Sequence, residues 1–146
     1  MKSSFLPVLA LLFALGLAAC GGSDAPDSAA SPTPASPAVE LPVSSVDVGP
    51  IDAALATEGQ GIYETRCTTC HKMDSRYIGP PLGDVAARRE PEWIMNMILA
   101  PEKMLQSDAD AQALLAEYSV PMTNQNLSED EARAILEYLR QVHEGA

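Results

Sequence analysis

The sequence predicts an all-α fold for residues 51–146, and three observations support this prediction. No run in this part of the chain alternates apolar and polar residues as a half-buried strand would. Residues that favour helix N-termini stand before each of four stretches with a helical pattern. The last stretch is the clearest, because Ser128 and Glu131 form a capping box and apolar residues then recur at helical spacing. These apolar residues are Ala132, Ile135, Leu136, Leu139 and Val142.

The three earlier helices are predicted from their first residues. Asp52 is a good N-cap for a helix that begins at residue 53 and ends at about Cys67. Pro91 suits the first turn of a second helix, since proline there loses no helical hydrogen bond. Ser107 or Asp108 caps a third helix that reaches residue 118.

Residues 1–20 have the pattern of an export signal peptide. Lys2 supplies a positive charge, and 13 mostly apolar residues follow from Phe5 to Leu17, too few to span a membrane. The junction Leu17-Ala18-Ala19-Cys20 resembles the lipobox of bacterial lipoproteins. That resemblance implies a lipid on Cys20 that anchors the chain to a membrane, in the periplasm or on an extracytoplasmic face. An ordinary cleavable signal is the alternative.

Residues 21–50 are predicted to form a disordered tether. The segment is rich in Pro, Ser and Ala, and the stretch Ser-Pro-Thr-Pro-Ala-Ser-Pro at positions 31–37 shows this composition most clearly. Such a composition buries too little apolar surface to offset the entropy lost on ordering. The folded domain is therefore expected to begin at residue 51.

The net charge excludes one class of partner and favours another. The chain has 20 acidic and 9 basic residues, a formal net charge of −11. Nucleic-acid binding requires a basic face, and attraction to an anionic lipid surface requires basic clusters, so both are excluded. An acidic surface instead fits a protein partner with a basic docking patch, and a role in solubility alone is the alternative.

Residues 67–71 carry the chemistry. Cys67-Thr68-Thr69-Cys70-His71 is a C-x-x-C-H motif, which is the signature of covalent attachment of one c-type haem. The two thiols form thioether bonds to the haem, and the histidine is the proximal iron ligand. A thiol-disulfide oxidoreductase is an alternative, but it needs a βαβ pattern. A zinc site needs four ligands, and only Cys20 and His143 remain outside the motif.

The sixth iron ligand is predicted to be Met122. It lies in an irregular, Pro-containing stretch before the last helix, where a loop can cross the distal face of the haem. Met104, expected in a loop after Pro101, is the competitor, whereas Met95 and Met97 lie in an apolar helix pattern that fits the core or the wall of the pocket. A filled sixth site makes the protein a carrier rather than an enzyme. An open site, peroxidase-like or gas-sensing, is the alternative.

These features resemble class I monohaem cytochromes c over about residues 52–146. Gly59 and Tyr63, which precede the haem motif, resemble the family's small and aromatic residues that cross the last helix. Ile135 and Tyr138 resemble the matching positions on that helix. The resemblance implies a small helical fold wrapped around one covalent haem, and a close approach of two helices at Gly59.

The resemblance also implies roles for residues outside the motif. Gly79-Pro80-Pro81-Leu82 resembles the turn in which a proline carbonyl accepts a hydrogen bond from the proximal histidine, here Pro80 and His71. Trp93 is expected to donate its indole N–H to a haem propionate, with core packing as the alternative. Asn124 and Asn126 are candidates for a hydrogen bond to the Met122 sulfur.

The resemblance implies a single-electron carrier outside the cytoplasm. Its respiratory partners would be a terminal oxidase or a periplasmic reductase. The stretch from Trp93 to Met104 loosely resembles small cytochromes associated with nitrous oxide reduction.

Overall fold

A computed structural model of the chain describes residues 39–145, and within this range it contains six helices and no strand. The all-α prediction is therefore confirmed. The helices are α1 (Ala53–Arg66), α2 (Val85–Arg88), α3 (Pro91–Leu99), α4 (Pro101–Ser107), α5 (Ala109–Tyr118) and α6 (Glu129–Glu144). None of these helices, in the part of the chain that is described, is long and apolar enough to cross a membrane.

The predicted helix starts are confirmed by their caps. The Asp52 carboxylate accepts hydrogen bonds from the backbone N–H groups of residues 54 and 55 at the start of α1. Asp108, rather than Ser107, caps α5. Ser128 and Glu131 form the capping box of α6, with both reciprocal hydrogen bonds present.

The loop predicted after Pro101 is instead helix α4, so that prediction is wrong. Pro101 is the first residue of this seven-residue helix. Proline is common at this position because an N–H group there would have no partner within the helix. Met104 lies inside α4 with 1% of its surface exposed. The burial of this long apolar side chain favours the helix over an exposed loop.

The domain is organised around the crossing of α1 and α6. A Cβ atom added to Gly59 would lie 1.9 Å from the carbonyl oxygen of Ala134, so only glycine allows this approach. One helical turn further on, the rings of Tyr63 and Tyr138 pack with their centroids 5.4 Å apart. The crossing expected at Gly59 is therefore present. The buried core also takes in α3, through Ile94, Met95 and Ile98.

Residues 39–50, which we call the strap, lie on the folded domain, so the boundary predicted at residue 51 is wrong. Val43 is 6% exposed and belongs to the hydrophobic core. The Asn96 side chain accepts a hydrogen bond from the Val43 N–H at 3.0 Å and donates one to the Val43 carbonyl at 2.8 Å. Glu92 accepts from the Val46 N–H at 2.8 Å. Side chains of α3 thus provide hydrogen-bond partners for backbone groups of the strap, which lies in no helix or strand.

The end of the strap is held by a charged cluster on α6. Glu137 is 1% exposed, and its carboxylate accepts hydrogen bonds from both Arg133 and Arg140. Arg133 also donates to the Asp47 carbonyl, and Arg140 donates to the Gly49 carbonyl, each at 2.8 Å. The buried carboxylate is therefore paired, as a buried charge must be, and its partners fasten the strap.

The predictions made for residues 1–38 lie outside the described residues. They comprise the signal peptide 1–20, the lipid on Cys20 and the first part of the tether.

Candidate haem-binding site

A cavity of about 240 Å³ opens beside the C-terminal end of α1. Cys67, Cys70 and His71 line it together with Met122 and Trp93, so the cavity brings together most of the predicted site residues. The rest of its wall is mostly apolar and comes from the five helices α2 to α6 and the loops between them. The apolar lining residues include Ile78, Pro80, Pro81, Leu82, Val85, Ile94, Met97, Ile98, Leu105, Ala111, Leu114, Leu115, Val120, Pro121 and Leu139.

The haem motif forms a single tight turn directly after α1. Cys67 is the C-cap of the helix, and its carbonyl accepts hydrogen bonds from the N–H groups of Cys70, at 3.0 Å, and His71, at 2.9 Å. Tyr63 in α1 donates its hydroxyl to the His71 carbonyl at 3.4 Å. Burial is the main reason that the pKa of Tyr63 is raised to about 12.

His71 is oriented by the loop that follows it. Its Nδ1 atom lies 2.9 Å from the Pro80 carbonyl oxygen, the contact that the resemblance implies. Because a carbonyl oxygen only accepts, Nδ1 must carry the proton, and the lone pair of Nε2 is left for a metal. The N–H of Gly79 donates to the Cys70 carbonyl at 2.8 Å, which holds this loop against the motif turn.

Gly79 also makes room for the imidazole ring, a role that the sequence did not reveal. A Cβ atom at this position would lie 2.5 Å from Cε1 and 2.8 Å from Nδ1 of His71. Any side chain here would therefore displace the ring or the loop.

Only two of the candidate methionines face the cavity. Met122 lines it from the loop between α5 and α6, where it is half-buried, and Met97 lines it from α3. Met104 and Met95 are 1% and 2% exposed and lie outside the cavity lining. This arrangement removes Met104 as the competitor of Met122, because its sulfur is packed in the core instead.

Neither Asn124 nor Asn126, in the loop between α5 and α6, bonds to a methionine sulfur. The Nδ2 atom of Asn124 donates to the Leu99 carbonyl at 3.0 Å, and the Oδ1 atom of Asn124 accepts from the Asn126 N–H at 2.8 Å. The expected hydrogen bond to Met122 is thus replaced by bonds to the backbone.

Trp93 lines the cavity, but its N–H has an acceptor within the protein. The indole Nε1 donates to the Asp108 carboxylate at 2.9 Å, and the same oxygen caps α5 at the N–H of Ala111. The Arg89 guanidinium lies 4.6 Å from the centre of the Trp93 ring and forms an ion pair with Asp110. The indole N–H is the only donor of the Trp93 side chain, and it bonds to Asp108 instead of being free for the propionate that the resemblance implies.

The geometry argues against the rival uses of the two cysteines. Burial, and secondarily the neighbouring Cys70, raises the pKa of the Cys67 thiol to about 11, whereas an exchange-active dithiol needs a lowered pKa. Cys67 also lies at the C-terminal end of α1, where the helix dipole disfavours a thiolate. Among residues 39–145, no three His, Cys, Asp or Glu side chains gather to hold a metal ion, as a zinc site would require.

The donor set and the apolar cavity fit a covalently bound haem, and so define an electron-transferring c-type haem protein. The two thiols and the imidazole lie on one turn, and the imidazole presents a free Nε2 lone pair. The chain belongs to the cytochrome c family, whose model matches residues 56–143. It is a small class I, all-α cytochrome c that carries electrons on covalent haem c attached at Cys67 and Cys70.

Solved structures agree with this assignment. The cytochrome c of Rhodothermus marinus is 51% identical, with a TM-score of 0.71 over 72% of this chain and 91% of that one. An engineered form of it, described as bound to a carbene intermediate, has a TM-score of 0.66 over 70% of this chain and 90% of that one, at 51% identity. A cytochrome c domain from Pseudomonas putida is 31% identical, with a TM-score of 0.53 over 57% of this chain and 85% of that domain. No curated protein matches the chain.

Replacing Gly79 by alanine should disturb His71. The added methyl group would overlap the imidazole ring, and overpacking of this kind costs about 1–3 kcal/mol. We expect Gly79→Ala to lower the thermal stability of the haem-loaded protein, measured by the loss of the helical circular dichroism signal on heating. Gly49→Ala is the control, because nothing lies within 4 Å of a Cβ atom there. Equal melting temperatures for wild type and Gly79→Ala would contradict the steric role of Gly79.

Proposed function

We propose that this cytochrome is a single-electron carrier whose haem iron is held by His71 and Met122. The observation that carries the proposal is that Met122 and His71 line one cavity while coming from different loops. The bound haem supplies the one-electron chemistry by alternating between ferric and ferrous iron. With a histidine and a methionine as axial ligands, no coordination position is left for a substrate, which favours a carrier over an enzyme. A neutral thioether ligand also raises the reduction potential.

Replacing Met122 by alanine tests the ligation. We expect Met122→Ala to keep its covalent haem and lose the weak far-red absorption band of the ferric protein that marks methionine ligation. The reduction potential should fall by on the order of 0.1 V, within the roughly 0.8 V range that axial ligands set. Met104→Leu is the matched control, because it changes a buried methionine outside the cavity and conserves volume.

The same spectra separate the proposal from an open sixth site. If wild-type protein lacks the far-red band and binds carbon monoxide readily, the iron is open and the peroxidase-like or gas-sensing alternative is favoured. The engineered Rhodothermus relative, described as bound to a carbene intermediate, makes this alternative worth measuring.

We propose that the redox partner carries a basic patch around an apolar contact. Residues 39–145 contain 18 acidic and 8 basic residues, so long-range attraction favours a basic partner. Close to the cavity the charge is more balanced, because Arg88 pairs with Asp84, and Arg89 pairs with Asp110. Exposed apolar residues of the two neighbouring loops would make the short-range contact; they are Tyr77, Ile78 and Val120. A terminal oxidase and a periplasmic reductase, including one for nitrous oxide, remain the candidate acceptors.

Electron transfer should therefore depend on salt. Between roughly 0.01 M and 0.15 M ionic strength the Debye length shrinks from about 30 Å to about 8 Å. Over this range we expect the second-order rate with a basic redox protein to fall roughly tenfold or more. The rate with a small anionic iron complex should rise instead, and it serves as the control. A rate with basic partners that does not respond to salt would remove the electrostatic part of the proposal.

We propose that the domain is held at a membrane by a lipid on Cys20. The supporting observation is the signal-like pattern of residues 1–20, which ends in a lipobox-like junction. Since the strap takes up residues 39–50, the proposed tether shortens to residues 21–38, and it remains rich in Pro and Ser. Such a tether would keep the haem domain near membrane-bound partners outside the cytoplasm.

Changing Cys20 to serine should release the protein. Serine cannot form the thioether that carries the lipid, so we expect Cys20→Ser to move from the membrane fraction to the soluble periplasmic fraction. The haem spectrum of the released protein should match that of wild type, because the haem motif is unchanged. Wild-type protein that is already soluble after export would exclude the lipid anchor.

A further inference from the structure

We propose that Asn124 is a positioning residue for Met122, because it ties the distal loop to the C-terminal end of α3. The distal loop is defined here as residues 119–128, between α5 and the N-cap of α6. The inference rests on the proposed ligation by Met122 and adds the group that holds this ligand in place.

The middle of the distal loop, residues 120–127, makes few hydrogen bonds. In the described part of the chain, no backbone N–H or carbonyl group of residues 120–127 bonds to another backbone group. The Gln125 side chain bonds only within the loop, to Thr123. The one hydrogen bond from residues 120–127 to another element is the bond from the Asn124 amide to the Leu99 carbonyl.

The two ends of the loop, in contrast, are fixed. At the start, the Arg76 guanidinium lies 4.0 Å from the centre of the Tyr118 ring and donates to the carboxylate and the carbonyl of Glu117. At the end, Ser128 is fixed by the capping box of α6. Met122 lies between these ends, so its position depends on what holds the middle.

Asn124 is suited to this role because one amide group makes both of its bonds. Leu99 is the last residue of α3, and its carbonyl is one of those that a helix end leaves without a partner. The Asn124 Nδ2 atom donates to it at 3.0 Å, while Oδ1 accepts from the Asn126 N–H at 2.8 Å. The second bond stabilises Asn126 in a left-handed conformation, with φ of 54°.

The bond also connects the ligand to the cavity wall. Met122 precedes Asn124 by two residues, and Met97 and Ile98 of α3 line the same cavity as Met122. Loss of the bond should let the middle of the loop move away from α3 more often. A single hydrogen bond of this kind corresponds to roughly a two- to tenfold change in the open population.

Binding of imidazole to the ferric haem protein tests the proposal. When a methionine must leave first, the binding rate levels off at high imidazole concentration, and the plateau reports how fast the loop opens. Asn124→Asp keeps the acceptor for the Asn126 N–H but replaces the donor that faces the Leu99 carbonyl. We expect its plateau rate or imidazole affinity to rise roughly two- to tenfold.

Asn126→Asp is the matched control. It adds the same charge two residues away, tolerates the left-handed conformation and leaves the bond from Asn124 to Leu99 intact. We expect it to bind imidazole as wild type does.

A second background separates this proposal from the proposed ligation. In Met122→Ala, imidazole should bind faster than in wild type, and adding Asn124→Asp should then change nothing. If Met122→Ala binds imidazole no faster than wild type, the ligation itself fails. If Met122→Ala binds faster but Asn124→Asp does not, or if Asn124→Asp acts equally in both backgrounds, Asn124 does not position Met122.

Discussion

The rest of the structure depends on the close contact between α1 and α6 at Gly59. There the backbone of α1 rests on the Ala134 carbonyl, at a separation that no side chain would allow. Because the haem motif begins one residue after α1, the position of this helix fixes where Cys67 and the turn after it can lie. Leu139 of α6 lines the cavity that the motif borders. A backbone contact outside the cavity lining therefore sets the spacing of the wall on which His71 sits.

Features that depend on neighbouring residues could be predicted from the sequence. The capping box of α6 involves residues three positions apart, and the haem motif spans one turn, so both are visible in a short window. The crossing at Gly59 could be predicted only from the family resemblance, since no pattern within α1 indicates that it packs against Ala134. Part of the cavity then follows from the fold, because apolar residues of the predicted helices α3, α5 and α6 line it, whereas α2 and α4 add wall residues that the sequence did not predict.

Features that depend on distant residues could not be predicted. The composition of residues 21–50 as a whole predicts a tether, although the strap itself contains four Val and one Leu; Val43 is held by Asn96, which lies 53 residues away. Arg133, which donates to the Asp47 carbonyl, lies 86 residues away. Trp93 is an intermediate case, because its acceptor Asp108 lies only 15 residues away but belongs to a different helical segment, the N-cap of α5. In the strap, backbone groups find their hydrogen-bond partners in side chains of α3 and α6. These partners lie too far along the chain for any local sequence pattern to indicate them.

The two sides of the haem cavity are held to very different degrees, and this difference suits electron transfer. On the proximal side, His71 is fixed by the Pro80 carbonyl, by the tight fit at Gly79 and by the turn that carries both thiols. On the distal side, the loop that carries Met122 makes few polar contacts with the helices. Covalent attachment keeps the cofactor in place whatever the distal loop does. With Met122 as the proposed ligand, the distal loop would tune the iron through a soft thioether without being needed to retain the haem.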